Sequence, residues 1–65
     1  MDIGKKIKEQ RELSNWTQQE LADKLSVSHV TISRYESNVR EPDAQTLSLL
    51  ADLFSITVDE LLGRR

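Results

Sequence analysis

Thr17 is followed three residues later by Glu20, and Thr57 three residues later by Glu60. Each pair has the spacing of a capping box. The Thr hydroxyl accepts from the backbone N–H of the third helical residue, and the Glu carboxylate reaches back to the Thr N–H. Trp16 with Leu21, and Ile56 with Leu61, flank the two boxes where a hydrophobic staple would sit. Ser28 is a third helix start, with Val27 and Ile32 as its staple and Thr31 in place of the box acid. Asp43, after Pro42 and ahead of an apolar run, is a fourth. Four such signals in 65 residues leave space for helices and little else.

The spacing predicts five helices, at about 2–14, 18–25, 29–37, 44–54 and 58–62. Ile3, Ile7 and Arg11 share a face of the first, Leu21, Ala22 and Leu25 of the second, and Leu47, Leu50, Ala51 and Phe54 of the fourth. The connections at 15–17, 26–28, 38–42 and 55–57 are too short to separate neighbouring helices. The expected fold is a compact all-α, single domain over residues 1–65. Arg11 falls on the apolar stripe of its helix, and Glu36 lies four residues after Ile32 on the inward side of the third. An unpaired charge in either place would cost several kcal/mol, so the two are expected to form a structural ion pair.

A chain this short buries only about 60% of the surface that its unfolded form exposes. It has no cysteine and one histidine, so no disulfide, thiol nucleophile or metal-ligand cluster is available, and no metal or other cofactor is expected. No apolar run approaches the ~18 residues of a membrane span, and the N-terminus has no signal-peptide h-region. Neither a leader nor membrane association is expected, and a cytoplasmic location fits.

The net charge of −2 argues against a generic binder of nucleic acid, which is usually basic. The charge is unevenly distributed. Residues 41–62 carry Glu41, Asp43, Asp52, Asp59 and Glu60 with no base, whereas residues 24–40 carry Lys24, Arg34 and Arg40 against Glu36 alone. Arg64 and Arg65 add two further positive charges. Within the basic stretch, S-V-S-H-V-T-I-S-R-Y-E-S at 26–37 separates into two faces. Val27, Ile32, Tyr35 and Glu36 point inward. Ser28, His29, Val30, Thr31, Ser33 and Arg34 point outward, with no carboxylate among them.

A helix at 18–25, a three-residue turn and a helix at 29–37 have the layout of a helix-turn-helix, at about 17–37. The second helix of that motif enters the DNA major groove, where small hydrogen-bonding residues can approach base edges. The chain resembles the Cro and phage-repressor type of helix-turn-helix, the XRE family. The matching residues are I-G-K-K-I-K-x-x-R at 3–11, T-Q-Q-E-L-A-D-K-L at 17–25 and S-V-S-H-V-T-I-S-R-Y-E at 26–36. R-E-P-D-A-Q-T-L at 40–47 and L-L-A-D-L-F-S-I-T-V-D-E-L-L-G at 49–63 complete the pattern.

The resemblance implies a five-helix, lambda-repressor-like DNA-binding domain that regulates transcription, most simply as a homodimeric repressor on a two-fold operator. By the same resemblance Ser28, His29, Val30, Ser33 and Arg34 would read bases, while Gln18, Thr31, Asn38 and Arg40 would hold phosphates. Arg34 suits a guanine O6 and N7, and Val30 a thymine methyl. Arg11 and Glu36 match a structural pair, and Leu61 or Leu62 would reach a dimer partner, since one small core cannot hold both. Ser26 stands where many members have Gly, so strain or an altered turn is expected there. Asn15 and Asn38 also occupy frequent Gly positions, which Asn tolerates better than most residues.

Other functions fit less well. His29 and Ser33 lie one turn apart, but no orienting acid or oxyanion hole accompanies them, so an enzyme is not expected. Lys5, Lys6 and Lys8 read as a solvated helix face. Trp16 reads as core or staple, because single-strand binders need several exposed aromatics. The alternative to a DNA regulator is a protein-interaction module that uses its acidic C-terminal third.

Overall fold

Asp2, Thr17, Ser28, Asp43 and Thr57 each start a helix in the computed structural model, which describes residues 2–63. The helices are α1 (Ile3–Leu13), α2 (Gln18–Leu25), α3 (His29–Glu36), α4 (Ala44–Phe54) and α5 (Val58–Leu61). Each lies within one residue of its expected bounds at either end. Arg64 and Arg65, counted in the charge above, lie outside the described residues.

Both capping boxes are closed. Glu20 N donates to Thr17 Oγ1 at 3.0 Å and Thr17 N to Glu20 Oε1 at 2.9 Å. The corresponding distances at Thr57 and Glu60 are 3.0 and 3.1 Å. Asp43 Oδ1 accepts from Thr46 N at 2.8 Å. That N–H, helped by the Thr46 side chain, holds the Asp43 carboxyl below its usual value, as a carboxylate at a helix N-terminus should be.

The helix ends share a second device. Asn15, Ser26, Asn38 and Ser55 have φ of 59°, 58°, 62° and 57°, all in the left-handed region. In each case the next residue donates its N–H across six residues: Trp16 to Arg11 O at 3.1 Å, and Val27 to Ala22 O, Val39 to Arg34 O and Ile56 to Ala51 O at 3.0 Å. These are Schellman closures, which satisfy carbonyls left open at a helix C-terminus. Three links therefore have the same three parts. A left-handed residue ends one helix, an apolar residue closes it and staples the next, and a Thr or Ser caps the next. Trp16, Val27 and Ile56 each do both jobs, which is why three residues suffice to turn the chain.

Ser26 thus resolves the expectation at the turn: the turn is kept and the strain is tolerated, and Ser55 does the same. A left-handed L-residue costs roughly 1–2 kcal/mol, partly offset by the extra unfolded-state entropy of Gly. The Ser26→Gly, Ser55→Gly double variant should therefore melt about 5 °C higher than the parent, at 4–8 °C per kcal/mol for a domain of this size. A thermal melt that is unchanged or lower would rule this out.

Ile7, Leu21, Ala22, Ile32, Tyr35, Leu50, Phe54 and Leu61 form one core, and Ala51 is buried beside it. Trp16 stacks on Phe54 with ring centroids 5.8 Å apart, and Lys24 Nζ sits 4.7 Å over the Trp16 ring. Trp16 is therefore committed to the edge of the core. Leu61 is 0% exposed. This corrects the expectation that it could face a partner: its staple position aims it at the core, and only Leu62 is left partly exposed.

α3 packs on α2 and α1, its most extensive helix contacts. The α1 contact is unusually close because residue 4 is glycine. A Cβ built there would lie 2.5 Å from Tyr35 O, 2.6 Å from Glu36 O and 2.8 Å from Asn38 Oδ1.

Candidate nucleic-acid interface

The face of α3 away from the core consists of His29, Val30, Ser33 and Arg34, all exposed, with Ser28 exposed at the cap and Thr31 partly buried. Ile32 and Tyr35, buried on the other side, set this orientation by anchoring the helix. Val30 is 44% exposed, an apolar patch between hydrogen-bonding neighbours. The side chains of His29, Ser33, Arg34 and Arg40 make no hydrogen bond or ion pair with any described residue. They are free to bind something else.

Ser28 and Thr31 are more constrained. Ser28 Oγ accepts from Thr31 N at 3.3 Å and lies 3.1 Å from Thr31 Oγ1. The cap thus occupies part of the hydrogen-bonding capacity of both hydroxyls, although each can make a further bond.

Glu36 is the only acid in α3, and it is turned away from this face. Arg11 Nε donates to its Oε2 at 2.6 Å and Arg11 Nη2 to its Oε1 at 3.2 Å, a two-bond fork. Gln18 Nε2 adds a third donor to Oε1 at 3.1 Å. Arg11 Nη1 also donates to Trp16 O at 2.7 Å. The hydrogen bonds to Glu36 raise the Arg11 pKa above its usual value, so the guanidinium stays charged. One carboxylate therefore joins α1, α2 and α3, and its charge is neutralised instead of facing outward.

Gln18, the first residue of α2, is held by Glu36, yet its amide keeps a second N–H and its oxygen. Its backbone N–H belongs to the helix start, where anions are favoured. Asn38 is different. Its Oδ1 accepts from Gly4 N at 3.0 Å and its Nδ2 donates to Asp2 Oδ1 at 2.7 Å. Its backbone N–H bonds Tyr35 O at 3.2 Å. The oxygen and one N–H of this amide are thus engaged inside the domain, and the second amide N–H of exposed Asn38 stays open. Arg40 is the exposed cation in the same loop.

Two members of this framework escaped the sequence reading. Asp2 is the N-cap of α1, its Oδ1 accepting from Lys5 N at 2.9 Å. Gly4 is the close-approach residue. A usable signal did exist for Gly4: a lone glycine in the first turn of a helical pattern gives up about 1 kcal/mol against Ala, which usually has a packing reason.

Comparison with known proteins agrees with this geometry. Residues 7–61 match the family model described as Helix-turn-helix. The chain is 41% identical over 64 residues to the HTH-type transcriptional regulator ImmR of Bacillus subtilis (strain 168), covering 98% of this chain and 50% of that protein. The P22 c2 repressor protein, solved in complex with a synthetic operator, superposes with a TM-score of 0.86 at 28% identity, covering 94% of this chain and 92% of that one. SinR, described as the master regulator for biofilm formation and solved with DNA, gives a TM-score of 0.83 at 31% identity, covering 92% of this chain and 97% of that one. The chain spans about half the length of the curated relatives it matches. Both of these relatives are HTH-type transcriptional regulators.

Proposed function

The chain belongs to the helix-turn-helix family of transcriptional regulators, the XRE type, and on that basis we propose that it binds double-stranded DNA with sequence specificity. In this reading it is a cytoplasmic repressor, and residues 1–65 act as a single DNA-binding domain. The observation that carries the proposal is the exposed face of α3. It has no carboxylate, and the single acid of that helix is turned inward against Arg11 and Gln18.

The mechanism follows from the free groups. α3 enters the major groove N-terminus first. Arg34 forks onto a guanine O6 and N7, Val30 contacts a thymine methyl, and His29 and Ser33 hydrogen-bond adjacent base edges. The backbone N–H of Gln18, with its remaining amide hydrogen, and the Arg40 guanidinium hold phosphates on either side. Ser28 and Thr31 contribute whatever bonding their cap leaves open. Two copies, meeting partly through Leu62, would place two α3 helices on half-sites about 34 Å apart, one helical turn.

A salt titration of binding to duplex DNA tests this. Affinity should fall steeply as salt rises, because each neutralised phosphate releases counterions. Arg34→Ala should lose about 1–3 kcal/mol of discrimination at one base position. Arg40→Ala should weaken all sequences alike and lower the salt slope by about 1. An absence of binding at low salt would sink the proposal and favour a protein-interaction role.

A further inference from the structure

We propose that Asn38 is a positioning residue for α3: its side chain latches the end of α3 to the start of α1 and so holds the pose of the DNA-facing helix. This role rests on the reading of α3 as the groove helix.

The connectivity is specific. α1 begins with backbone N–H groups that lack helical partners. Lys5 N finds Asp2 Oδ1 at 2.9 Å and Lys6 N finds Asp2 O at 3.3 Å. Gly4 N finds Asn38 Oδ1 at 3.0 Å, from across the fold. Asn38 also gives its Nδ2 to Asp2 Oδ1 at 2.7 Å. Its own backbone, at φ 62°, ends α3. One residue therefore terminates α3 with its main chain and caps α1 with its side chain. The Asp2 carboxyl is held below its usual value, first by the Asn38 amide and then by the Lys5 N–H, as a charge-assisted contact requires.

The placement explains the mechanical effect. The C-terminal end of α3 is tied to α1 at Arg11 through Glu36, and again at Asp2 and Gly4 through Asn38. Gly4 and Arg11 lie seven residues apart on α1, or about 10 Å at 1.5 Å per residue. Two ties that far apart stop α3 from pivoting about the ion pair. A reading helix must keep its side chains within about 0.5 Å of their partners, so such a pivot would be felt at the bases.

Three variants test the latch: Asn38→Gly, Asn38→Asp and the exchange Asp2→Asn with Asn38→Asp. Asn38→Gly keeps the left-handed backbone and removes both side-chain bonds. Asn38→Asp alone sets two carboxylates against each other. The exchange allows every bond to re-form at unchanged net charge, with the amide now at position 2 donating to the carboxylate now at position 38. Two quantities are measured: amide exchange at Gly4, and affinity for a duplex selected by the wild type from random DNA.

The expected result is that Asn38→Gly and Asn38→Asp speed Gly4 exchange and weaken DNA binding about tenfold. The exchange variant should return both to within about twofold. Weaker binding in Asn38→Gly with Gly4 exchange unchanged would reveal a direct contact with DNA and overturn the proposal. Unchanged affinity with faster Gly4 exchange would leave only a local cap, and failure of the exchange variant to restore binding would also overturn it. A wild type that binds no duplex at low salt is a different failure. It removes the DNA reading itself, and the positioning role falls with it.

Discussion

Arg11→Ala is expected to destabilise the domain by about 3–5 kcal/mol, a large part of its total stability. The Glu36 side chain is only 5% exposed and that of Arg11 only 11%. Removing Arg11 strands a carboxylate that keeps only the Gln18 amide as a donor, and it also releases Trp16 O. Breaking one partner out of a buried pair costs about 3–5 kcal/mol. A domain of this length has roughly 3–10 kcal/mol in total, at 0.05–0.15 kcal/mol per residue. Urea denaturation followed by circular dichroism measures the loss. A variant within about 1 kcal/mol of wild type, the ordinary effect of a point substitution, would show that the pair is dispensable.

The paired replacement Arg11→Met with Glu36→Leu separates two meanings of that loss. Swapping a buried ion pair for apolar side chains of similar volume is often neutral or stabilising. The double variant should recover most of the stability. It should not recover full DNA affinity, because Gln18 at the start of α2 then has no carboxylate to orient it. The charge in this pair is thus expected to matter more for arrangement than for stability.

Gly4→Ala should destabilise the domain by about 1–3 kcal/mol, the range for overpacking a close contact. Helix propensity predicts the opposite, a gain of about 1 kcal/mol from removing a glycine. The structure decides the sign. Two of the atoms that the new methyl would meet are backbone carbonyls, Tyr35 O at 2.5 Å and Glu36 O at 2.6 Å, and neither can turn aside like a side chain. α1 must back away from α3, which also stretches the Asn38 bond to residue 4. Ala at exposed Lys8 is the control, expected to be within about 0.5 kcal/mol of wild type. A stabilised Gly4→Ala would show that α1 slides freely over α3.

Much of the architecture was legible because its signals are local. A capping box, a staple and a left-handed stop each act within six residues, so Thr17, Ser28, Asp43 and Thr57 announced their helices without reference to the rest of the chain. Arg11 and Glu36 were legible for a different reason. Each broke an apolar stripe, and two opposite charges on inward faces have one inexpensive solution. Leu61 and Leu62 could not be separated in the same way. They are adjacent and equally apolar, and only the rotation of α5 against the core buries the first and leaves the second at the edge.

The polar residues at the interface divide along the same line. The sequence by itself determined that the outward face of α3 is small, hydrogen-bonding and free of carboxylates, since a 3.6-residue period sorts its residues from Ile32 and Tyr35. It also determined where each helix begins and ends. Only the tertiary structure decided which polar groups remain free to bind. Gln18 and Asn38 carry the same amide chemistry. Yet Gln18 gives one N–H to Glu36 and keeps its oxygen open, whereas Asn38 has both its oxygen and one N–H engaged by Gly4 and Asp2. The reason is that the buried Gly4 N–H, left open at the start of α1, must find an acceptor. Which partner lies within hydrogen-bonding reach depends on how closely α1 approaches α3, and that distance is set by the missing side chain of Gly4.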